Sequence, residues 1–205
     1  MSEMEKIDFK KKLKHLYRPS PKKPVVIDVP EMNFLMVDGK GYPGTSKEYT
    51  EAIEVLYGVS YPLKFALKKG GVLDYVVMPL ESLWWIEGKE EFDPEAKDDW
   101  RWTSMIMQPD EVTLDFLSDT IEVVREKKDL AALSKLRLES YYEGLSVQIM
   151  HIGPYSEEAP TIERLHNFAE EQGFKLRGKH HEIYLGDPRR TAPEKLKTVI
   201  RQPVE

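Results

Sequence analysis

Hydrophobic and polar positions recur with two periods along this chain. Short stretches repeat every second residue, and longer ones repeat at helical spacing. Residues 25–29 and 33–37 are short, β-rich and separated by Pro30, which predicts two strands. A loop carrying Gly39, Gly41 and Gly44 follows, with Thr45 or Ser46 placed to cap a helix. In that helix Tyr49, Ala52, Ile53, Leu56 and Tyr57 form an apolar stripe. Residues 75–85 read as a strand in which Pro79 implies an edge or a bulge. An acidic loop over 87–99 leads to a strand over 100–107. Val112, Phe116, Leu117, Ile121 and Val124 predict a helix over 111–128. Residues 137–142 and 145–152 read as a hairpin turning at Glu143-Gly144. A helix over 159–172 carries Ile162, Leu165, His166 and Ala169 on one face, with Gly173 as its C-cap. Strands over 180–185 and 197–201 complete the chain.

The two halves echo one another. Phe34-Leu-Met-Val-Asp-Gly, a Tyr-Pro loop and Ser-Lys-Glu-Tyr precede one helix; Gln148-Ile-Met-His-Ile-Gly, a Pro-Tyr loop and Ser-Glu-Glu precede the other. Ser104-Met-Ile-Met-Gln-Pro and Thr198-Val-Ile-Arg-Gln-Pro close the two units. The expected fold class is α+β: two pseudo-repeated strand-helix-strand-strand modules forming a shared antiparallel sheet with a ligand groove. The expected organisation is a leader over 1–24 and one domain over 25–205. Within it lie a first module over about 25–110, a linking helix over about 111–128 and a second module over about 136–205. Both helices are expected on one side of the sheet, with the groove on the other.

Composition narrows the function. The chain has 205 residues, 40% hydrophobic and 32% charged, enough to build a core. Its net charge of −6 argues against direct nucleic-acid binding and against an anionic membrane surface. The lysines of 1–24 then read as a solvated face. With no cysteine, thiol catalysis and Cys-metal sites are excluded. No run approaches the roughly 18 apolar residues of a membrane span, and the N-terminus lacks an apolar signal core. A cytoplasmic location is the expectation, with no cofactor.

Several motifs are weak. The G-x-G-x-x-G of 39–44 lacks the second strand and acid of a dinucleotide site, so its glycines read as turn formers. His180 and His181 point to opposite faces of a strand and cannot jointly chelate, so no metal site is expected.

The strand His180-His-Glu-Ile-Tyr-Leu is more informative. Alternation puts Ile183 and Leu185 on one face, suited to packing under a helix. It puts His180, Glu182 and Tyr184 on the other, the groove face. A desolvated Glu182 has its pKa raised and becomes a proton acceptor near neutral pH, and Tyr184 can donate to a developing anion. The competing reading is an exposed strand with a solvated carboxylate. All four tryptophans, Trp84, Trp85, Trp100 and Trp102, fall within nineteen positions of one another. With Met107, Tyr141, Tyr142, Met150 and Tyr155 they are expected to line the groove, giving stacking area suited to large planar or cationic molecules. Ordinary core packing is the alternative for each.

These same residues carry a family resemblance. Residues 147–155, Gly178-Lys-His-His-Glu-Ile-Tyr-Leu and Asp187-Pro188 resemble the GyrI-like small-molecule-binding domain, as does the Leu-Lys-Thr-Val-Ile-Arg-Gln-Pro ending. Residues 79–85 and 100–109 resemble its stand-alone branch. The resemblance implies paired modules around a ligand groove with Glu182 at the pocket floor. It implies one of three roles: hydrolysis of cyclopropanoid DNA-alkylating toxins, non-catalytic multidrug binding or sensing, or interaction with gyrase. No helix-turn-helix is apparent, so transcriptional control is not expected. The hydrolase branch fits best, with a bulky aromatic xenobiotic as partner, Glu182 activating water and Tyr184 bonding the oxygen that gains charge.

Overall fold

The structure, a computed structural model, describes residues 4–89 and 96–205. The acidic loop expected over 87–99 falls partly on residues 90–95, outside the described residues. Eight strands form one antiparallel sheet in the order β2-β8-β10-β9-β5-β6-β3-β7. They are β2 (Val25–Val29), β3 (Met32–Lys40), β5 (Leu80–Ile86), β6 (Trp100–Gln108), β7 (Arg137–Tyr141), β8 (Gly144–Ile152), β9 (His180–Tyr184) and β10 (Lys197–Pro203). A small parallel pair joins β1 (Lys6–Ile7) to β4 (Asp74–Tyr75). The helices are α1 (Phe9–Lys12), α2 (Lys14–Tyr17), α3 (Lys47–Lys69), α4 (Leu114–Lys127) and α5 (Ala159–Glu171). Among the described residues no helix is long and apolar enough to cross a membrane.

The two modules meet at the centre of the sheet, where β5 of one pairs with β9 of the other through Ser82–Glu182 and Trp84–His180. Their outer strands are exchanged. β2, from the start of the first module, pairs with β8, and β7, which precedes β8 in sequence, pairs with β3. The hairpin expected over 137–152 is therefore not formed. Gly144 turns the chain with φ +70°, but β2 already occupies the edge of β8. The single strand expected over 75–85 is likewise divided. Pro79 has no N–H for the ladder, so Asp74–Tyr75 joins β1 and pairing in the large sheet begins at Leu80.

Ser46 caps α3, its Oγ accepting from the Tyr49 N–H at 3.2 Å. The stripe Tyr49, Ala52, Val55, Leu56, Val59, Leu63 and Leu67 is buried. On α5, Leu165 and Ala169 pack with Val147, Ile149 and Ile200. Tyr49 reaches Ser82, and Ile200 is the ladder partner of Glu182, so both helices cover the Glu182 face. This corrects the expected placement. Ile183 and Leu185 lie on the face opposite the helices, and Glu182 opens between the two helices.

That opposite face is closed in part by the chain's own N-terminal segment. Leu16 and Tyr17 are fully buried. They are held by a buried polar network absent from the sequence reading. His181 sits between two carboxylates, Nδ1 at 2.9 Å from Glu143 and Nε2 at 3.1 Å from Glu81. A neutral imidazole donates only once, so donation to both carboxyl groups takes the imidazolium. Burial lowers the His181 pKa, but Glu143 and Glu81 more than offset it and raise it to about 8. Arg201 donates to Glu143 at 2.9 Å, to Gln148 and to the Leu16 carbonyl, and the Tyr17 hydroxyl donates to Glu81 at 2.9 Å. Two buried cations thus balance two buried carboxylates, and the same groups anchor residues 15–17.

Candidate functional site

The site begins with the alternation of β9. His181 and Ile183 point into the far side of the molecule, and His180, Glu182 and Tyr184 point toward the helices. The Glu182 side chain is 14% exposed, enough to be reached from solvent yet largely desolvated. Its Oε2 accepts from the Tyr184 hydroxyl at 2.7 Å, and its Oε1 lies 3.2 Å from His180 Nε2. The Trp84 indole N–H in turn donates to Tyr184 Oη at 3.2 Å. Tyr184 is thereby held from both sides, its one proton directed at Glu182.

The carboxyl chemistry differs from the expectation. Burial raises the Glu182 pKa, but hydrogen bonds from His180 and Tyr184 outweigh it and hold it below the usual carboxylate value. The raised pKa belongs to a residue that the motif search passed over. Glu158, 5% exposed at the N-terminus of α5, meets Glu182 and is pushed up to about 9 by burial and by the Glu182 charge. Of the two, Glu158 holds the proton and Glu182 the charge. Tyr184 is raised well above the ordinary phenol range by burial and by Glu182, and stays protonated. His166, on α5, is lowered to about 4 by burial and the nearness of His180, so it is neutral.

Aromatic rings surround these groups. Tyr49 packs against Trp84 at 5.8 Å between centroids and edge-on to Trp102 at 5.1 Å, while its hydroxyl meets Ser82. Trp100 packs on Trp84 at 5.5 Å, and Tyr155 sits edge-on to Tyr184 at 5.6 Å. Tyr155, 39% exposed, and the half-buried Trp100 are the rings nearest solvent. A separate surface hollow of about 360 Å³ beside α3, lined by Tyr57, Tyr61, Pro62, Lys128 and Leu130, holds none of these groups.

The structure thus gathers Glu182, Tyr184, His180, Trp84, Trp100, Trp102 and Tyr155 on one side of the sheet. Trp85, Met107 and Met150 lie on its other face. Trp85 carries the Lys179 ammonium 3.5 Å from its ring centroid, and Met107 and Met150 belong to the large core. Tyr141 packs edge-on to Phe34, and Tyr142 is exposed beside Gly144 at the far end of β8. Glu158, Tyr49, Ser82 and His166 join the site unannounced.

The chain matches the model of the GyrI-like small molecule binding domain over residues 22–205. It belongs to that family. No functionally curated protein matches the sequence. Among solved structures, an uncharacterized conserved protein from Listeria innocua is 48% identical with a TM-score of 0.91, covering 97% of this chain and 100% of its own. A hydrolase from Listeria innocua is 47% identical with a TM-score of 0.87, covering 98% and 100%. The EcmrR C-terminal domain, at 14% identity, a TM-score of 0.56 and coverage of 89% and 97%, shares the fold alone.

Within this GyrI-like domain one position is set by the site. A Cβ on Gly39 would lie 2.2 Å from the Trp102 ring, so only glycine lets β3 pass beneath that indole. Trp102 is fully buried and wedged against Tyr49, leaving it no room to yield. Gly39→Ala is expected to destabilise by about 1–3 kcal/mol, as overpacked cores do, and to alter the near-UV circular dichroism of the tryptophans. An unchanged urea midpoint and spectrum would show that the indole moves freely.

Proposed function

We propose that this protein binds bulky aromatic molecules between its two helices and hydrolyses cyclopropanoid DNA-alkylating agents, detoxifying them in the cytoplasm. The carrying observation is the Glu182 carboxyl group, held by Tyr184 and His180 among Trp84, Tyr49, Trp100 and Tyr155. Rings of this kind stack on a planar ligand. Glu182 takes a proton from water as the water oxygen attacks the strained ring carbon. Tyr184 aims the carboxylate, and Trp84 aims Tyr184. As Glu182 gains its proton, Tyr184 is released to hydrogen-bond the oxygen that gains charge. Relatives in which a hydrolase has nearly half its sequence in common support this reading.

Sequestration without chemistry is the second reading, favoured by the negative charge beneath the rings, which also suits cations. A protein contact made through Trp84, as a gyrase-binding role would use it, is disfavoured by its burial, with only 3% exposed. Incubating purified protein with a cyclopropanoid alkylating agent and weighing the recovered ligand separates the first two. Addition of one water supports hydrolysis, and ligand recovered unchanged at equal occupancy overturns it.

A further inference from the structure

We infer that Glu158 is the proton donor of this site, delivering its proton to the oxygen on which charge collects as the ring opens, while Glu182 takes the proton of water. This rests on the hydrolytic reading above and completes it. The need arises from a count of protons. Opening a ring conjugated to a carbonyl breaks one carbon–carbon bond, and its electron pair moves to the carbonyl oxygen. A water O–H supplies the hydroxyl that bonds to carbon, and the oxygen at the other end requires a proton of its own. In the resting site the Tyr184 hydroxyl has one proton, and it is given to Glu182.

Glu158 meets the requirement in three respects. It is 95% buried next to Glu182, so a ligand whose reacting atoms reach Glu182 also reaches Glu158. It holds its proton at neutral pH yet, at about 9, gives it up far more readily than the buried Tyr184 phenol. It sits at the N-terminus of the 13-residue α5, where the helix dipole favours the carboxylate left after donation. The groups facing it are Glu182 and Tyr184 from β9, Tyr155 from the turn before α5, and Thr198 from β10, with His180 beyond Glu182.

The cycle closes without an outside base. After ring opening Glu182 carries a proton and Glu158 does not. Because the two carboxyl groups touch, the proton returns from Glu182 to Glu158 and restores the starting state. Net consumption is one water per ring.

The test is the pH–rate profile of hydrolysis of a cyclopropanoid agent whose ring is conjugated to a carbonyl, for wild type and Glu158→Gln. Wild type should lose activity as pH rises through about 9, where Glu158 ionises. Glu158→Gln should turn over roughly 10²–10⁴-fold more slowly and lose that alkaline limb. The deficit should shrink for substrates whose ring-opened oxygen is more acidic, because those need less help from an acid. Binding of the ring-opened product, followed by tryptophan fluorescence, should stay within a few-fold and report a folded site. Equal turnover in both proteins overturns the role of Glu158 and leaves hydrolysis standing. A uniform loss with the alkaline limb intact, or no dependence on the substrate's acidity, assigns Glu158 a structural part and also overturns it. No turnover by wild type overturns both readings together.

Discussion

Arg201→Leu is expected to lower the free energy of unfolding by about 3–5 kcal/mol, the usual result of removing one partner from a buried ionic network. Arg201 is 1% exposed and answers Glu143, Gln148 and the Leu16 carbonyl together. Without it, Glu143 keeps only His181, Gln148 loses its cation, and the Leu16 carbonyl is buried without a donor. Since domains of this kind are stable by about 5–15 kcal/mol, the urea midpoint should fall by a large fraction. Residues 15–17 should also become open to proteolysis. Adding Glu143→Leu should recover part of the loss, because the orphaned charge goes with it. A midpoint unchanged by Arg201→Leu would show that the network contributes nothing.

The same groups make stability depend on pH in a defined direction. His181 has a pKa raised in the fold from 6.5 to about 8, so its contribution is complete below 6.5 and is lost as pH rises through 8. In Glu143 burial pushes the pKa up, but His181 and Arg201 pull it down from 4.5 to about 2. Its contribution is complete above 4.5 and is lost as pH falls toward 2. Glu158 acts in the same direction as His181: raised from 4.5 to about 9, its contribution is complete below 4.5 and is lost as pH rises through 9. Urea midpoints should therefore be highest near pH 5 and lower at pH 9, and His181→Gln should remove only part of the alkaline fall.

Much of this architecture is written in local pattern. The repeat of strand, loop and capped helix announces the two modules, and the alternation His180, Glu182, Tyr184 puts those three on one face whatever covers them. Alternation does not say which face the helices take. That is settled by long-range packing, where Tyr49 meets Ser82 and Leu165 meets Ile200. The exchange of β2 and β7 was equally hidden. Glu143-Gly144 has hairpin chemistry, but Glu143 is drawn into the network with His181 and Arg201, 38 and 58 residues away. Some misplacements could have been avoided by parity. Trp84 and Trp85 are adjacent on one strand, and Trp102 and Met107 are an odd number apart on another, so neither pair can share a face. Glu158 carried no such signal. In sequence it is the second acid of Ser-Glu-Glu at a helix start, and only contact with β9 gives it a role.

Glu182→Gln is expected to reduce hydrolysis by roughly 10²–10⁴-fold, the contribution of a well-placed general base. The substitution suits the question because it preserves shape. The amide oxygen can still accept from Tyr184, and the amide N–H₂ can donate to His180 Nε2 once that ring carries its proton on Nδ1, so the chain Trp84–Tyr184–residue 182 remains assembled. Only the charge and the capacity to take a proton are removed. The wild-type acid limb should then disappear from the pH–rate profile of the residual activity, since it reports ionisation of Glu182. Glu158, relieved of the neighbouring anion, should fall from about 9 toward the ordinary carboxylate range. Ligand charge gives the second readout. A neutral aromatic ligand should bind within a few-fold of wild type, because its rings are untouched, whereas a lipophilic cation should bind more weakly after loss of the anion beneath them. Turnover equal to wild type would remove Glu182 from the chemistry. Parallel loss of neutral and cationic binding would mean that Glu182 holds the aromatic cluster together rather than acting within it.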